Sequence, residues 1–241
     1  MKKFITLVLA LSMVAITNAQ WGKRVKGNGN IVTIERSVGD YDAVALAGWF
    51  DVELVDGNEG EITLKGESNL LEYIKTEVKN GKLIVKVEKG VNLRPSNWKS
   101  GIYITVPVET INSVTLSGSG DIVSKTTLKS NNFSTRISGS GDISLDIEAQ
   151  SVEATLSGSG DINLEGKTTN LDIQVSGSGD IKAYELEAEF ATVQVSGSAD
   201  VKVTANQSIN AQVSGSGDIS YRGNPEKIKS RSSGSGDISR G

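Results

Sequence analysis

Hydrophobic and polar residues alternate with a period of two through much of the chain, and the alternation recurs at a nearly fixed interval. Val152, Ala154 and Leu156 stand five, three and one residues before Ser157, and Ile162 stands five residues after it. The residues between them are polar or small. Alternation of this kind is typical of strands that bury one face. The pattern therefore predicts an all-β protein whose strands share one core.

The interval is marked by a hexapeptide, Ser-Gly-Ser-Gly-Asp-Ile. Its seven copies begin at Ser117, Ser138, Ser157, Ser176, Ser196, Ser214 and Ser233, and the fifth copy reads Ser-Gly-Ser-Ala-Asp-Val. Successive copies are 21, 19, 19, 20, 18 and 19 residues apart. A unit of this length is too short for two packed helices and predicts one coil of a β-solenoid.

Identical motifs at one interval stack in register only if every coil advances in the same direction, so the strands are expected to be parallel. Crossovers between parallel strands are almost always right-handed. The predicted fold is therefore a right-handed parallel β-helix with coils of 18 to 21 residues and a less regular amino-terminal half that caps it.

Within each motif, the glycines fall at positions that would point inward, and the two serines and the aspartate fall at positions that would point outward. Glycine at an inward position predicts a tight bend or a close approach of neighbouring coils. Stacked coils are about 4.8 Å apart, so the outward residues should form columns. The predicted structural turn residues are Gly118, Gly120, Asp121, Gly139, Gly141, Asp142, Gly158, Gly160, Asp161, Gly177, Gly179, Asp180, Gly197, Asp200, Gly215, Gly217, Asp218, Gly234, Gly236 and Asp237.

The aspartate column is the strongest candidate for chemistry. Carboxylates about 4.8 Å apart repel by roughly 1 kcal/mol per pair in water, so hydrogen bonds or Ca²⁺ must offset the repulsion. A catalytic pair is needed only once, whereas these aspartates recur in every coil. We therefore expect a structural role, with no catalytic residue, no cofactor and no metal site, and Ca²⁺ on the aspartate column as the alternative. The serine columns form a hydroxyl array that suits either a solvated turn or a repetitive ligand.

The composition excludes several kinds of functional site and disfavours one class of partner. The chain has no histidine and no cysteine, which excludes Ser-His-Asp and Cys-His triads, histidine metal sites and disulfides. The net charge is −4. Removing residues 1–19 removes two lysines, which leaves 23 basic and 29 acidic residues and a charge of −6. That charge disfavours nucleic acid as a partner.

Residues 1–19 are predicted to be a cleaved secretory signal peptide. Lys2 and Lys3 precede an apolar run from Phe4 to Ile16, and small residues lead to Ala19. The run of 13 residues is shorter than the roughly 20 that a membrane-spanning helix needs. Because the chain has no cysteine for lipid attachment, we expect a non-lipidated protein with no transmembrane segment, in the periplasm, on the outer surface or secreted.

The domain boundaries follow from how regular the repeat is along the chain. Residues 20–38 are predicted to be a leader strand and residues 39–241 one domain, with degenerate coils and a cap over 39–110 and regular repeats over 111–241. Residues 44–52 match residues 114–122 in apolar, glycine and aspartate character. Trp49 and Trp98 lie in this half and could contact a ligand or cover the open end of the first coil.

The chain resembles the putative auto-transporter adhesin, head GIN domain family of exported proteins from Gram-negative bacteria. The resemblance covers about residues 39–241 and rests on five features. These are the Tyr41 to Val52 segment, the Gly66 to Ile74 stretch, Asn80-Gly81-Lys82-Leu83, the hexapeptide copies and the turn from Tyr221 to Pro225. It implies a β-helical fold and, from the family name, adhesion.

Three functions remain open. The first is an exported binding or adhesion-type module without catalytic activity, whose partner is a glycan or a surface protein. The second is an envelope scaffold that forms homo-oligomers through the solenoid ends. The third is a polysaccharide-active enzyme, which would need a charged cluster that breaks the repeat. Asp51, Arg94 and Lys99 are available for such a cluster, but their spacing does not join them.

Overall fold

The computed structural model describes residues 22–97 and 99–241. The predicted signal peptide and Trp98 lie outside the described residues. The one helix within these described residues is α1, Ser68–Leu71. The strands are β1 Lys23–Lys26, β2 Ile31–Gly39, β3 Ala43–Gly48, β4 Asp51–Asp56, β5 Gly60–Glu67, β6 Ile74–Lys79, β7 Lys82–Val87, β8 Val91–Arg94, β9 Tyr103–Val108, β10 Ser113–Gly118, β11 Ile122–Gly139, β12 Ile143–Gly158, β13 Ile162–Gly177, β14 Ile181–Gly197, β15 Val201–Gly215, β16 Ile219–Arg222, β17 Lys227–Gly234 and β18 Ile238–Arg240.

The expected parallel solenoid is confirmed. Strands β10 to β18 stack with parallel pairing, and each motif lies over the motif of the coil before it, as Ser138 lies over Ser117. No helix in residues 22–97 or 99–241 is long and apolar enough to cross a membrane.

Strand β12 bends once between its two motifs. In β12 the buried side chains fall on odd positions up to Ile147 and on even positions from Val152 onward. A single straight strand cannot change which parity faces inward, so the segment between these residues forms a corner. The coil of β12 therefore consists of a motif turn, a strand, this corner and a second strand.

Differences in repeat length are absorbed away from the motifs. The first coil is two residues longer than the next, and the pairing shifts between Val123 and Thr127. The coils of 20 and 18 residues shift the pairing between Asn163 and Glu165, between Ala183 and Glu187, and between Ala188 and Phe190. Bulges of this kind take up extra residues without disturbing the pairing elsewhere. The motif turns consequently stay in one column.

The predicted degenerate coil is present in the amino-terminal half. Strand β3 pairs with β10 so that Gly48 lies beside Gly118, and β4 pairs with β11. Below this coil, β7 and β9 pair in parallel with β3 and β4, and antiparallel strands then take over, with β6 on β7 and β2 and β9 on β5. Asn80 and Gly81 form the β6–β7 turn, both with positive φ, as a type I′ hairpin requires.

The core runs through the stack, and its two ends differ. At the amino-terminal end, Phe50 occupies the place of the second motif glycine and is fully buried. At the other end, Ile228, whose repeat position predicts burial, is 51% exposed. The reason is that β17 pairs only with β15 among the described strands, and that its next inward positions carry Ser230 and Ser232. The Ser232 hydroxyl donates to the carbonyl of Gly236 at 2.6 Å.

Candidate functional site

The motif glycines stack against backbone. A Cβ added to Gly118 or Gly120 would lie 2.0 or 1.9 Å from the carbonyl oxygen of Gly48 or Phe50 one coil below. The same clash recurs in the later motifs. Most glycines of the first column also have φ between +132° and +154°, a region that disfavours other residues. Contact with the coil below therefore favours glycine in both columns, with Ala199 as the exception in the second column, and conformation favours glycine mainly in the first.

This close approach removes one hydrogen bond of the parallel ladder, and the side chain of the motif aspartate accepts a bond in its place. In a regular parallel ladder, the Asp142 N–H would bond the carbonyl of Gly120. That carbonyl instead faces Gly141, since it lies 2.0 Å from where a Gly141 Cβ would be. The Asp142 N–H donates to Oδ1 of Asp121 at 3.2 Å, while its carbonyl keeps the regular bond from the Ile122 N–H at 2.9 Å.

The replacement is repeated along the stack, and we call the resulting column the aspartate ladder. Each carboxylate except that of Asp237, the last, accepts the N–H of the aspartate one coil above, at distances from 2.8 to 3.4 Å. The ladder consists of Asp51, Asp121, Asp142, Asp161, Asp180, Asp200, Asp218 and Asp237. Asp51 is its first member and comes from the degenerate coil.

Local surroundings shift two pKa values in the ladder in opposite directions. Burial raises the pKa of Asp51, and the nearby Asp121 carboxylate raises it further. Together these effects outweigh the hydrogen bond from the Asp121 N–H, which lowers the pKa. At Asp161 burial pushes the pKa up, but the Asp180 N–H and the Lys182 ammonium, 3.0 Å away, pull it below its usual value. In the part of the chain that the structure describes, no three acidic side chains are grouped so as to hold a metal ion.

A flat surface lies on the strand that leads into each motif, and we call it the polar flank. Its first column is the first motif serine of each coil, all exposed. Its second column, two residues earlier, consists of Thr115, Arg136, Thr155, Gln174, Gln194, Gln212 and Arg231. A shallow depression of about 270 Å³ lies among these columns between Thr155 and Ser196. The polar flank thus presents hydroxyl and amide groups at the spacing of the coils.

The corner of the coils forms a second surface. A groove of about 690 Å³, here called the corner groove, crosses β11 to β15 and is lined by polar side chains. Two further grooves, of about 620 and 530 Å³, share Thr110 with it. The three grooves therefore meet where the irregular half joins the regular coils. Sequence reasoning missed the corner groove because its residues come from a non-repeated part of each coil.

The two tryptophans proposed as ligand contacts differ in what the structure describes. Trp49 is partly buried, packs against the core and has its ring 5.5 Å from that of Phe50 at a 53° tilt. Trp98 lies outside the described residues. Trp49 thus covers part of the first coil while leaving part of its ring exposed.

Glu67 is a buried carboxylate that the sequence did not single out. It accepts hydrogen bonds from the backbone N–H groups of Gly29, at 2.8 Å, and Ser96, at 2.9 Å. Burial raises its pKa, but these bonds and one from the Ser96 side chain outweigh that effect and hold the pKa below its usual value. Glu67 therefore ties the leader and the segment after β8 to the end of β5. Its role is structural.

The stacked coils, the continuous core and the exposed polar columns define a β-solenoid that displays a regular surface. The family model for the putative auto-transporter adhesin, head GIN domain matches residues 40–225, and the chain belongs to this family. None of the curated proteins matches the chain.

Solved structures of similar proteins share the fold. A putative adhesin from Bacteroides fragilis has 24% identity and a TM-score of 0.82, covering 90% of this chain and 99% of its own. A putative lipid binding protein from Parabacteroides distasonis has 28% identity and a TM-score of 0.76, covering 91% and 100%. A putative adhesin from Parabacteroides merdae has 19% identity and a TM-score of 0.73, covering 91% and 99%. The family and these neighbours carry names of adhesion or binding proteins.

Proposed function

We propose that this protein is an exported binding module of the adhesion type, in the envelope or secreted, which holds a glycan or a surface protein without transforming it. The observation that carries the proposal is the polar flank. Seven exposed serines and a neighbouring column rich in Thr and Gln repeat at the coil spacing of about 4.8 Å. A rigid, periodic array of donors and acceptors suits a ligand that is itself periodic, as polysaccharides are.

An enzymatic role has less support. The seven lower carboxylates of the aspartate ladder already accept backbone N–H groups. Asp51 belongs to this ladder, whereas Arg94 ends β8 on a different sheet. A carboxylate committed to the backbone of the next coil is poorly placed to move protons on a substrate.

A self-assembling scaffold is the structural alternative. The outward side chains of β17 are Lys227, Lys229 and Arg231, all exposed. Two copies of this strand brought edge to edge would face each other with like charges, which destabilises strand pairing. We therefore favour a module that binds other molecules over one that assembles through β17.

Lipid binding enters because one structural neighbour is named for it. A lipid site is expected to be an apolar cavity. The four grooves described above are lined mostly by polar side chains, so we do not extend that neighbour's name to this chain.

The test combines a glycan array with binding to extracted surface proteins, using protein that begins at Gln20. We expect binding that weakens when Gln174, Gln194 and Gln212 are replaced together by alanine, since these exposed residues contribute little to the fold. Trp49→Ala tests contact by the irregular half in the same assay. Thermal melting with and without Ca²⁺ tests the cation alternative. The absence of any glycan or protein ligand would refute the adhesion-type role.

Export is part of the proposal and has its own test. Cleavage of the predicted signal peptide leaves Gln20 as the first residue of the mature protein, and mass spectrometry of protein recovered outside the cytoplasm would show it. Full-length protein retained in the cytoplasm would contradict export.

A further inference from the structure

Phe190 is an exposed aromatic residue in an otherwise polar column. Its side chain is 46% exposed. The residues paired with it on the coils below and above are Asn170 and Ser208. Its column begins with Asn132 and Ser151, which are also polar. The next coil has Lys227 at this place. Because all the equivalent residues on the other coils are polar, the fold needs no large apolar side chain at position 190.

Irregular pairing surrounds this position. The pairing between β14 and β15 shifts between Ala188 and Phe190, where β15 has one residue more than β14. Ala191, the next residue, is 3% exposed and restores the inward alternation. Bulges re-aim the side chains beside them and are enriched near functional sites. Here the shift falls at the corner of the coil and leaves the Phe190 ring facing solvent.

Phe190 borders the corner groove in the chain. Glu189, its neighbour in the chain, lines the groove, as do Thr169 and Asn206. The groove crosses five coils from β11 to β15, which is about 19 Å at the usual strand spacing. Its uncharged lining residues are Thr110, Ser130, Asn131, Ala149, Gln150, Thr168, Thr169 and Asn206. An extended glycan repeats on a length close to one coil, so successive sugars could meet equivalent groups.

Four of the five charged residues of the groove alternate in sign along the stack, and the fifth, Glu189, leaves the groove with one net negative charge. Lys129 pairs with Glu148, Glu148 with Lys167, and Lys167 with Glu187. The first pair forms an ion pair at 3.4 Å. Opposite charges at neighbouring positions largely cancel at distances beyond the Debye length of about 8 Å. The groove therefore has no field that would attract a polyanion, and its amide and hydroxyl groups remain for hydrogen bonding.

We infer that Phe190 and the corner groove form a subsite for a neutral glycan. The C–H face of a sugar ring stacks on the exposed phenyl ring, and the hydroxyl groups bond the amides and hydroxyls along the groove. This inference rests on the proposed binding function and names its ligand class and its site. The subsite is distinct from the column of motif serines.

The test measures affinity for the neutral oligosaccharide that binds most tightly to the wild-type protein on an array. We expect Phe190→Ala to weaken binding at least about tenfold, as truncation of a central aromatic contact does. Phe190→Trp should retain binding. Tyr103→Ala is the matched control, because Tyr103 is 50% exposed and lies in the irregular half. Wild-type affinity should be nearly the same at low and high salt.

The outcomes separate this inference from the proposed function. Binding of a neutral glycan that survives Phe190→Ala, with melting temperatures unchanged, overturns the subsite and leaves the proposed function standing. Selective, salt-dependent binding of acidic glycans also overturns it. If the wild-type protein binds only surface proteins, the glycan subsite is wrong while the adhesion-type role remains. If the wild-type protein binds nothing, both are wrong.

Discussion

Replacing rungs of the aspartate ladder by asparagine or by alanine separates the hydrogen-bonding role of the carboxylates from their charge. Asp142 receives the Asp161 N–H at 2.8 Å, and its own N–H is bonded by Asp121. Asparagine keeps an acceptor oxygen at Oδ1 and removes the charge. Alanine removes both. The two substitutions are otherwise similar at this exposed position. The difference between their unfolding free energies therefore measures the contribution of the hydrogen bond.

The magnitude follows from two opposing effects. A hydrogen bond to a charged acceptor contributes about 1.5–3 kcal/mol, and a neutral one about 0.5–1.5 kcal/mol. Repulsion from the two neighbouring carboxylates costs roughly 1 kcal/mol each in water and less in salt. Alanine loses the bond but gains relief from repulsion, for a net loss of about 1 kcal/mol per rung. With asparagine, the hydrogen bond weakens by about as much as the charge repulsion falls, so the net change in unfolding free energy is near zero.

The assay is equilibrium urea unfolding followed by circular dichroism. Substituting the alternate rungs Asp142, Asp180 and Asp218 together amplifies the effect and leaves the Asp161–Lys182 ion pair intact. We expect the triple alanine variant to lose about 3 kcal/mol of unfolding free energy and the triple asparagine variant to remain near wild type. Equal stability of the two variants would show that the bonds contribute nothing.

The same variants distinguish the calcium alternative. If Ca²⁺ neutralises the ladder, the wild-type protein gains stability with added Ca²⁺ in proportion to RT ln(1 + [L]/Kd). The triple asparagine variant would then lose that gain. The hydrogen-bond explanation expects the wild-type and asparagine curves to coincide with Ca²⁺ and with a chelator.

Three further predictions concern single residues. Thr135 is 2% exposed and its hydroxyl has no hydrogen-bond partner, so Thr135→Val should raise stability by about 1 kcal/mol in urea unfolding; lower stability would contradict this. Gly215→Ala should lower the unfolding free energy more than Gly217→Ala. An added Cβ would lie near 2 Å from a backbone oxygen at both positions, but only Gly215 has a φ of +144°. Equal urea midpoints for the two variants would refute the contribution of backbone conformation. The pKa of Glu67 is lower in the folded protein than in the unfolded chain. The carboxylate therefore stabilises the fold fully above about pH 4.3, and this contribution is lost as the pH falls through the pKa of the folded state. Glu67→Gln should flatten the pH dependence of the unfolding free energy in that window.

Much of the solenoid could be predicted because its determinants are local and repeated. The spacing of the hexapeptide indicated the coil, and the inward positions such as Leu156 and Ile162 indicated the core. The hairpin at Asn80 and Gly81 could be expected as well, because an Asn-Gly pair favours a tight turn. These features depend on neighbours in the sequence, so one chain was enough to show them.

The contacts of the site could not be predicted in the same way. The replacement of the Gly120 carbonyl by the Asp121 carboxylate depends on the separation of two coils, about 20 residues apart in the chain. The corner groove collects residues whose offsets change with repeat length, so no sequence column identifies it. Phe190 did leave a signal, since it is an aromatic residue at a position where the other coils have Asn, Ser or Lys.

The aspartate ladder also explains why function is better sought away from the motif. The glycines bring the coils close, the displaced carbonyl leaves an N–H without its usual acceptor, and the aspartate of the coil below supplies one. Each residue of the hexapeptide except the serines is thereby committed to the stacking of the coils or to the core. Changes there would alter every later coil, whereas substitutions at the corner or on the polar flank leave the backbone pairing intact. In the subsite that we infer, specificity can therefore vary at Phe190 and along the corner groove without cost to the solenoid.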